Sequence, residues 1–407
     1  MQENCGLFRA AKRLRAQAHG NKMDTKQNIL ENLKSADGYV SGQQLCEVLG
    51  VSRTAVWKAI GALREAGYAI EGAQNRGYRL LPRGEERVPF NQMEIAFGLT
   101  TKWAGRRLVF KQETGSTNSD IFALSDKGAP QGTVVVAGRQ TAGKGRRGRL
   151  WVSPQDDNIY FSILLRPTYP AEAAPMATLV AAMAVCDALE EEAGRADFDA
   201  AQSGSRCMDS CVGAAQSGSR CVGSGVRAPL SRTERVDACK SVFAIKWPND
   251  IVARTPDGAW KKVCGILTEM RLEEREIKDV VIGIGINVNM SRKDFAPELQ
   301  ETAASVALAL GRTVDRARLA AAVWNHFEPL YERFAAAQSF APLRQEYESR
   351  LVNRGRQVRV LDPQSPFAGT AEGVDEGGRL LVRPADGGAV RAVDAGEVSV
   401  RGVEGYV

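Results

Sequence analysis

The residues with the greatest capacity for chemistry lie in a cationic, glycine-rich segment, GRQTAGKGRRGRLW, at positions 138–151. Its beginning spells a P-loop as far as Lys144, and positions 143–148 also match the GxGxxG pattern of dinucleotide-binding turns. Both motifs need a helix to begin directly after the glycines, and a P-loop needs Ser or Thr where Gly145 stands. The residues that follow, RRGRLWVSP, predict no helix start. The residues that follow the glycines therefore argue against both phosphate-binding motifs.

A third interpretation of this segment follows from its charge pattern. Its cations alternate with glycines, so the loop repels itself, and we expect it to be disordered without a ligand. An anionic ligand would order the loop through charge-assisted hydrogen bonds and through backbone N–H groups that glycine leaves accessible. The segment therefore predicts a lid over a phosphate-bearing molecule, and a basic RNA-binding loop is the alternative. The residues concerned are Gly143, Lys144, Gly145, Arg146, Arg147, Gly148 and Arg149.

Three further segments place polar or small residues at predicted strands. In KWPNDI (246–251) a lysine stands beside a rigid Trp-Pro turn, and in ETGSTN (113–118) a Ser-Thr-Asn set follows a strand. In GIGIN (283–287) the glycines allow another group to approach a strand closely. Each segment alone has an ordinary explanation, namely a turn with a solvated lysine, a helix cap and a buried strand. Their significance comes from finding them together.

Together with KVCGIL (262–267), and in this order along the chain, these segments resemble the catalytic domain of biotin–protein ligases. The lid sequence GKGRRGRLW is similar to that family's GRGRRGRxW signature, with Lys144 in place of the first arginine. The likeness runs from Lys111 to Arg401, and a predicted winged helix extends it to the bifunctional members, which are both biotin ligase and biotin operon repressor. Lipoate ligases share the catalytic fold but lack the arginine-glycine signature, and they are the alternative.

The resemblance implies a two-step reaction. Biotin and ATP form biotinyl-AMP and pyrophosphate, and biotin then passes to a lysine of a biotin carboxyl carrier protein. Lys246 and Arg146 are the implied catalytic residues, because a fixed cation stabilises the approach of the biotin carboxylate to the α-phosphate. Mg²⁺ would accompany the ATP phosphates, and no residue is predicted to hold a metal. Lys144 keeps the charge of the arginine that it replaces but loses its bidentate fork.

The resemblance also implies which residues contact each substrate. Biotin's ureido ring needs both donors and acceptors, which small polar side chains supply, and Trp151 would wall the pocket. The expected biotin contacts are Ser116, Thr117, Asn118, Gln140, Lys144, Gly145, Arg146, Trp151 and Lys246. The expected adenylate and ATP contacts are Gly143, Lys144, Gly145, Arg146, Arg147, Gly148, Asn249 and Asn287. The family's adenine-stacking aromatic has no clear counterpart, since the segment 288–305 contains Phe295 but no Trp.

Residues 23–82 predict a winged helix-turn-helix. Ser41 and Ser52 each cap a helix, a tight turn at Gly50 separates the two helices, and the alternating segment that follows predicts a hairpin wing. The second helix carries a basic stripe, so we expect operator DNA as a partner. A helix-turn-helix kept only as a structural adjunct is the alternative. The predicted DNA contacts are Ser52, Arg53, Thr54, Trp57, Lys58, Arg64 and Arg76.

The pattern of helices and strands predicts an α+β multidomain protein. The predicted elements include a strand at Ile159–Leu165 and helices at Ala171–Glu192 and Arg316–Phe334. A basic extension with a restart at Met23, which suggests a misassigned start or a floppy tail, would precede the winged domain. The central domain would hold a mixed sheet, similar to class II synthetases, and short terminal strands ending in GEVSVR resemble the ligases' SH3-like β-barrel. The expected segments are an extension at 1–22, the winged domain at 23–82, a linker at 83–105, the catalytic domain at 106–350 and the barrel at 351–407.

Composition places the protein in a broad class. The chain has 407 residues, of which 44% are hydrophobic, and a net charge of +6. These values predict a soluble cytoplasmic protein with no membrane association, and the resemblance adds a homodimer in the adenylate-bound state. The octapeptide AAQSGSRC occurs at 200–207 and again at 214–221, which predicts a flexible surface insertion at 194–240. Its cysteines lack the CxxC pairing of a zinc site, and they are Cys207, Cys211, Cys221 and Cys239.

Three classes of protein therefore make different predictions. A ligase would release pyrophosphate when given biotin and ATP. A pure regulator would bind effector and DNA without turnover, and an RNA-binding protein would bind nucleic acid without regard to biotin. Lys246 and the Ser-Thr-Asn set favour the ligase, because neither of the other classes requires them.

Overall fold

The chain divides into two compact units, Met1–Glu94 and Ile95–Val407. A short helix, Gln92–Gly98, falls in the predicted linker 83–105, so that linker is partly helical. Asn91 accepts a hydrogen bond from the first turn of this helix. The computed structural model describes residues 25–81, 88–202, 241–362, 365–395, 399–402 and 406–407.

The first unit is a winged helix-turn-helix, as predicted. The side chains of Ser41 and Ser52 accept hydrogen bonds from the first turns of their helices, so both predicted caps are confirmed. In the wing, Gly77 has a φ of 102°, and a Cβ there would lie 2.1 Å from the carbonyl oxygen of Val40. The elements are α1 (Thr25–Ser35), α2 (Gly42–Leu49), α3 (Arg53–Glu65), β1 (Ile70–Ala73) and β2 (Gly77–Leu80).

The second unit is built around a seven-stranded mixed sheet with the strand order β3-β4-β5-β9-β8-β7-β6. Only β3 and β4 pair in parallel, and every other neighbouring pair is antiparallel. Every residue of β5 is buried because helices cover the sheet. The strands are β3 (Leu108–Thr114), β4 (Val134–Gln140), β5 (Ile159–Leu165), β6 (Phe243–Lys246), β7 (Asp250–Arg254), β8 (Trp260–Glu273) and β9 (Glu276–Ile286).

Helices of the second unit pack on this sheet and on one another. The helix Thr117–Ser125 packs against β4, β5 and β9, and the helix Met176–Gln202 packs against β6, β7 and β8. The helix predicted from Arg316 onward begins there, with Asp315 as its cap. In chain order after the helix Gln92–Gly98, which we number α4, the helices are α5 (Thr117–Ser125), α6 (Met176–Gln202), α7 (Val306–Leu310), α8 (Arg316–Ala337) and α9 (Arg344–Arg350).

Helix α6 differs from its predicted span of 171–192 at both ends. A short 3₁₀ turn precedes it, and Pro175 stands directly before its first residue, where proline is well tolerated. The helix continues past Gly194 to Gln202, so the beginning of the predicted insertion is helical rather than flexible. The remainder of that insertion, with the second octapeptide and its four cysteines, lies outside the described residues.

The same helix is the one described segment that is long and apolar enough to cross a membrane. The stretch concerned is Ala171–Arg195, and 78% of its most apolar window is buried inside the unit. Residues on all sides of the helix pack within the fold, including Val180, Met183 and Leu189. The apolar composition is therefore that of a core helix.

The chain ends in a five-stranded antiparallel sheet with the order β13-β12-β11-β10-β14. In the described residues no pairing joins the edge strands β13 and β14, so the predicted closed barrel is not confirmed. The indole of Trp247 donates a hydrogen bond to the carbonyl oxygen of Gly378, at 3.0 Å, which ties this sheet to the end of β6. The strands are β10 (Gln357–Leu361), β11 (Phe367–Val374), β12 (Leu380–Pro384), β13 (Arg391–Val393) and β14 (Ser399–Gly402).

Candidate active site

A cavity of about 420 Å³ lies between the glycine-rich loop, one end of the central sheet and the terminal sheet. Such a volume suits a ligand of the size of a cofactor or a nucleotide conjugate. It brings together all of the residues predicted to contact biotin and all of those predicted to contact the adenylate except Gly143 and Gly148. Segments far apart in the sequence therefore form a single site.

The Ser-Thr-Asn set lies at the start of α5, deep in the cavity. Ser116 occupies the cap position, but its hydroxyl makes no capping hydrogen bond, so the ordinary explanation of this set does not hold. The backbone N–H of Thr117 donates to Gln140 Oε1 at 2.9 Å, and Gln140 Nε2 donates to Ser153 Oγ at 3.2 Å. The predicted Gln140 thus belongs to the same hydrogen-bonded group.

Asn118 is held by two residues that the sequence did not single out. Its Nδ2 donates to Glu269 Oε2 at 2.6 Å, and its Oδ1 accepts from Ser162 Oγ at 2.5 Å. All three of Ser116, Thr117 and Asn118 are buried. Buried polar groups fixed in this way present a preformed pattern of donors and acceptors to a ligand.

The glycines of the two strand motifs make room for larger side chains. A Cβ on Gly285 would lie 2.6 Å from the indole Nε1 of Trp151, and one on Gly265 would lie 3.0 Å from the same ring. A Cβ on Gly283 would lie 2.2 Å from Asn118 Oδ1. These glycines are therefore required by close approach and not by a turn.

Trp151 forms one wall of the cavity, as predicted for a pocket aromatic. Its Nε1–H is buried and has no acceptor among the described residues. An unsatisfied buried donor costs free energy, so a ligand acceptor at this position would be bound favourably. The Nζ of Lys262 lies 5.3 Å from the centre of the ring.

Lys246 is buried at the end of β6, with 3% of its surface exposed. Burial lowers the pKa of its ammonium group to about 7, and the negative charge of Asp250 opposes that shift. The next residue is also fixed, since the backbone N–H of Trp247 donates to Asn353 Oδ1 at 2.9 Å. Lys246 is therefore a held, desolvated cation at the cavity wall.

Asp250 stands between two lysines. Its Oδ1 lies 2.5 Å from the Nζ of Lys262, and the charges of Lys262 and Lys246 hold the pKa of the carboxyl below its usual value despite burial. No sequence motif reveals the pair, although Asp250 lies in KWPNDI and Lys262 in KVCGIL. Neighbouring β7 and β8 bring them together, which spacing along the chain does not reveal.

The glycine-rich loop contains a single 3₁₀ turn at Arg146–Gly148 and no α-helix, as predicted. Its backbone folds back on itself, with the N–H of Gly145 donating to Arg149 O at 2.7 Å and that of Trp151 to Gly143 O at 2.9 Å. The expected disorder is therefore not observed. Glycines allow the close approach of the two arms, and these hydrogen bonds give the loop a defined path in spite of its charge.

Arg146 anchors the loop to both sides of the cavity. Its Nη1 donates to Asn249 Oδ1 at 3.0 Å, and its Nη2 donates to the carbonyl oxygen of Ala395 in the terminal sheet. Burial lowers the pKa of its guanidinium. Lys144, Arg147 and Arg149 are exposed by comparison. Arg146 is thus the least exposed of the four cations in the segment 143–149.

The part of the cavity lining that comes from residues 287–303 is mainly apolar. Phe295 is buried there and Asn287 lines the same region. Asn287 donates through Nδ2 to the carbonyl oxygen of Ala304 at 3.3 Å. The apolar lining consists of Met290, Phe295, Ala296, Leu299 and Ala303.

No group of three or more His, Cys, Asp or Glu side chains that could hold a metal ion occurs among the residues that the structure describes.

The predicted DNA contacts lie mainly on the exposed face of α3. Trp57 is 66% exposed, and Thr54 and Lys58 are also exposed. Ser52 caps the helix, and Arg53 donates through Nη2 to Gln43 Oε1 at 2.8 Å.

Two predicted DNA contacts have structural partners in or beside the wing. Arg64 donates through Nε to the carbonyl oxygen of Ile70 at 2.9 Å and so ties α3 to β1. The guanidinium of Arg76 lies 4.4 Å from the centre of the Tyr39 ring. Arg64 thus has a structural function that the sequence did not reveal.

The chain is similar to known proteins over most of its length. Residues 112–287 match the biotin/lipoate A/B protein ligase family, 25–79 match an HTH domain, and 355–401 match the biotin protein ligase C terminal domain. The bifunctional ligase/repressor BirA of Bacillus subtilis is 34% identical over 363 residues, which cover 89% of this chain and 95% of that protein.

Two further relatives support the same likeness. The biotin--[acetyl-CoA-carboxylase] ligase of Mycobacterium tuberculosis is 29% identical over 324 residues, covering 79% of this chain and 97% of its own. The structure of the biotin protein ligase from Aquifex aeolicus in complex with biotin and ATP gives a TM-score of 0.52 at 26% identity. That match covers 73% of this chain and 99% of the Aquifex chain.

Proposed function

The chain belongs to the biotin/lipoate A/B protein ligase family, and from this premise we propose how its site works. The protein is a biotin ligase with a helix-turn-helix repressor domain. It converts biotin and ATP into biotinyl-AMP and pyrophosphate, and it transfers biotin to a lysine of a biotin carboxyl carrier protein. The observation that carries the proposal is the buried Lys246 at the junction of a polar pocket, a cationic loop and an apolar recess.

Biotin would occupy the end of the cavity where α5 begins. The ureido ring offers both N–H donors and a carbonyl acceptor, and Ser116, Thr117 and Asn118 supply the complementary groups. Gln140 orients this set through its hydrogen bond to Thr117. The apolar thiophane ring and valeryl chain would lie along Trp151, with the carboxylate directed toward Lys246.

ATP would fill the remaining space between the loop and the apolar recess. Lys144, Gly145 and Arg146 would contact the biotin carboxylate and the adenylate phosphate, and Arg147 would line the lid with the flanking Gly143 and Gly148. Asn249 and Asn287 would bind the nucleotide from the sheet side. Phe295 lines the cavity, and we assign it to the adenine ring as the aromatic residue of the segment 288–305. Mg²⁺ would enter on the ATP phosphates and neutralise part of their charge.

Adenylation brings two anions together, which is the step that this chain's cations assist. The carboxylate oxygen attacks the α-phosphorus, and the bond to the pyrophosphate oxygen breaks. Lys246 stabilises the charge that develops on the phosphate, more effectively in a dry site than in water. Arg146 closes the loop over the product, which matters because an acyl-adenylate hydrolyses readily in water.

Pyrophosphate release in the presence of ATP and either biotin or lipoate tests this function. Biotin-dependent release is expected, and release with lipoate alone would instead favour a lipoate-type ligase. Lys246→Ala should abolish adenylation and leave biotin binding weak but measurable. Near-normal turnover in that variant would contradict the catalytic role of Lys246.

The exposed, basic face of α3 supports a second function in transcription. We propose that Arg53, Lys58 and Arg76 contact operator phosphates while α3 enters the major groove. A gel-shift assay on DNA from a biotin-biosynthesis promoter, with and without biotinyl-AMP, tests this at low salt. The absence of any shift with the adenylate present would show a ligase without operator binding.

Three further assignments belong to this proposal. The adenylate-bound protein would form a homodimer, the protein would act in the cytoplasm without a membrane, and the terminal sheet would curl into an SH3-like barrel. The alternating burial along β10 supports the last of these, because one face of the sheet is then closed against a core. Sedimentation with and without biotinyl-AMP tests the dimer.

A further inference from the structure

We propose that Tyr406 is a positioning residue of the adenylation site, which holds the Lys246 ammonium group in place with its ring and orients Asp250 with its hydroxyl. The inference rests on the proposed adenylation activity. Tyr406 lies beyond 355–401, the segment that matches the ligases' C-terminal domain. Tyr406 belongs to none of the sequence motifs described above.

The geometry brings the second-last residue of the chain into the catalytic cavity. The Nζ of Lys246 lies 3.6 Å from the centre of the Tyr406 ring, a cation–π distance. The Tyr406 hydroxyl donates to Asp250 Oδ2 at 2.7 Å, while Asp250 Oδ1 pairs with Lys262. One aromatic side chain therefore touches both the proposed catalytic cation and the carboxylate that balances it.

The last two residues occupy a defined position, held by packing. Tyr406 and Val407 pack against a small apolar cluster whose buried members are Ala244, Val252 and Val352. At Gly402 an added Cβ would lie 2.1 Å from the carbonyl carbon of Val407, so the chain end returns closely onto β14. Glycine is needed at that position for the approach.

This placement affects how Lys246 meets its substrates. Held against the ring face, the ammonium group loses contact with water, and its attraction for an incoming carboxylate and phosphate is screened less. The ring also limits the positions that the flexible lysine side chain can take. Since small displacements of reacting groups lower rates strongly, the constraint favours catalysis.

The charges around Lys246 come from several elements. Asp250 on β7 favours its charged form, while Arg401 on β14 and Lys262 on β8 oppose it. Beyond these, Arg146 and Arg149 of the loop act on Asp250 and Tyr406, respectively. Burial is the largest influence on Lys246, so removing the covering ring is expected to raise its pKa toward the ordinary value of a lysine.

The test measures biotin-dependent ATP–pyrophosphate exchange by the full chain as a function of pH. Tyr406→Ala should lower kcat about tenfold with little change in the KM for biotin, because the tyrosine lies away from the ureido end. The alkaline limb of kcat/KM should move upward by about one pH unit as water reaches Lys246. Tyr406→Phe keeps the ring, so the alkaline limb of its kcat/KM should lie at the wild-type pH. Its kcat should fall by about fivefold at most, because only the hydroxyl is lost.

Phe367→Ala is the matched control. It removes a ring that lies 4.8 Å from the guanidinium of Arg391 in the same sheet, and it does not line the cavity. Equal losses in Phe367→Ala and Tyr406→Ala would overturn the inference, as would an alanine variant with wild-type kcat and pH dependence. If Tyr406→Ala does not melt cooperatively, Tyr406→Leu replaces it, and the same tenfold loss of kcat decides. Wild-type protein without any exchange would instead overturn the proposed function itself.

Discussion

Lys246 combines two properties that matter at the scale of a single residue: it is almost fully buried, and its cation is required for the proposed reaction. Because burial lowers its pKa to about 7, the free protein loses this cation as the pH rises through about 7. The carboxylate of Asp250 and the two anionic substrates act in the opposite direction. Substrate binding therefore restores the charge that burial weakens.

This balance predicts different pH profiles for two kinetic constants. The constant kcat/KM reports the free protein, so it should fall about tenfold per unit above pH 7, while kcat should hold to higher pH because bound phosphates raise the pKa of Lys246. Steady-state adenylation assays across the neutral to alkaline range measure both. Lys246→Arg, which stays charged throughout, should lose the alkaline limb even if its rate is low. If Lys246→Arg keeps the same alkaline fall in kcat/KM, a group other than Lys246 causes that fall.

Arg146 gives the second prediction at this scale. Its side chain links the loop to Asn249 and Ala395, and in the closed state it would contact the adenylate phosphate. Arg146→Ala should therefore release biotinyl-AMP about 10 to 100 times faster, as expected for the loss of one or two hydrogen bonds to a charged group. Free adenylate would then label lysines on bystander proteins.

The measurement is the rate of biotinyl-AMP loss from preformed complex, together with labelling of an added unrelated protein. Arg139→Ala is the control, since Arg139 pairs with Glu113 at 3.0 Å on an exposed part of β4 and does not line the cavity. Unchanged retention in Arg146→Ala would rule out the lid function of this arginine.

At the scale of elements, two basic residues of α3 have different proposed functions, Lys58 in binding DNA and Arg64 in stabilising the winged unit. Lys58→Ala should weaken operator binding uniformly and reduce the slope of log affinity against log salt by about one, because one phosphate contact is lost. Arg64→Ala should instead lower the free energy of unfolding of the first unit by about 1 kcal/mol, because its bond to Ile70 is lost.

Fluorescence anisotropy with labelled operator DNA over a series of salt concentrations measures the first effect, and chemical denaturation measures the second. Lys127→Ala, an exposed lysine of the second unit, serves as the charge-matched control. A full salt slope in Lys58→Ala would remove that residue from the DNA contacts, and undiminished stability in Arg64→Ala would remove the structural function of Arg64.

The elements also show how far sequence reasoning reaches. Serine caps, the buried strand β5 and the start of α8 at Arg316 have local causes, and they are found where the pattern predicts them. The C-terminal end of α6 and the open edge of the terminal sheet have no such local signal. Helix α6 passes Gly194 in spite of the low helix propensity of glycine, and the nearby Glu192 is fixed by ion pairs with Arg312 and Arg318.

Within the site, residues that belong to a motif could likewise be predicted, and residues without a local signal could not. Motif residues such as Ser116 and Lys246 could be named because their types fit a known pattern in order along the chain. Glu269 and Ser162, which hold Asn118, come from strands in which no local feature marks them. Tyr406 reaches Lys246 only through the folding of the terminal sheet, so no spacing predicts it.

At the scale of the whole molecule, every group proposed to bind the adenylate lies in the unit Ile95–Val407. Binding to the folded form alone raises stability by mass action, by about 2.7 kcal/mol at a ligand concentration a hundred times Kd. Biotinyl-AMP should therefore raise the Tm of this unit, while the winged unit melts as before in the absence of DNA.

Differential scanning calorimetry of the full chain measures this, with the two transitions assigned by the shift in Arg64→Ala, which weakens only the winged unit. Lipoate with ATP is the matched ligand control and should raise the Tm of the unit Ile95–Val407 no further than ATP alone does. A rise in both transitions with biotinyl-AMP would contradict independent melting, and it would show that ligand binding is coupled to the winged unit through free energy shared between the units. Because the proposed adenylate-bound homodimer would present two winged units to one operator, adding operator DNA should make the winged transition rise only when the adenylate is present.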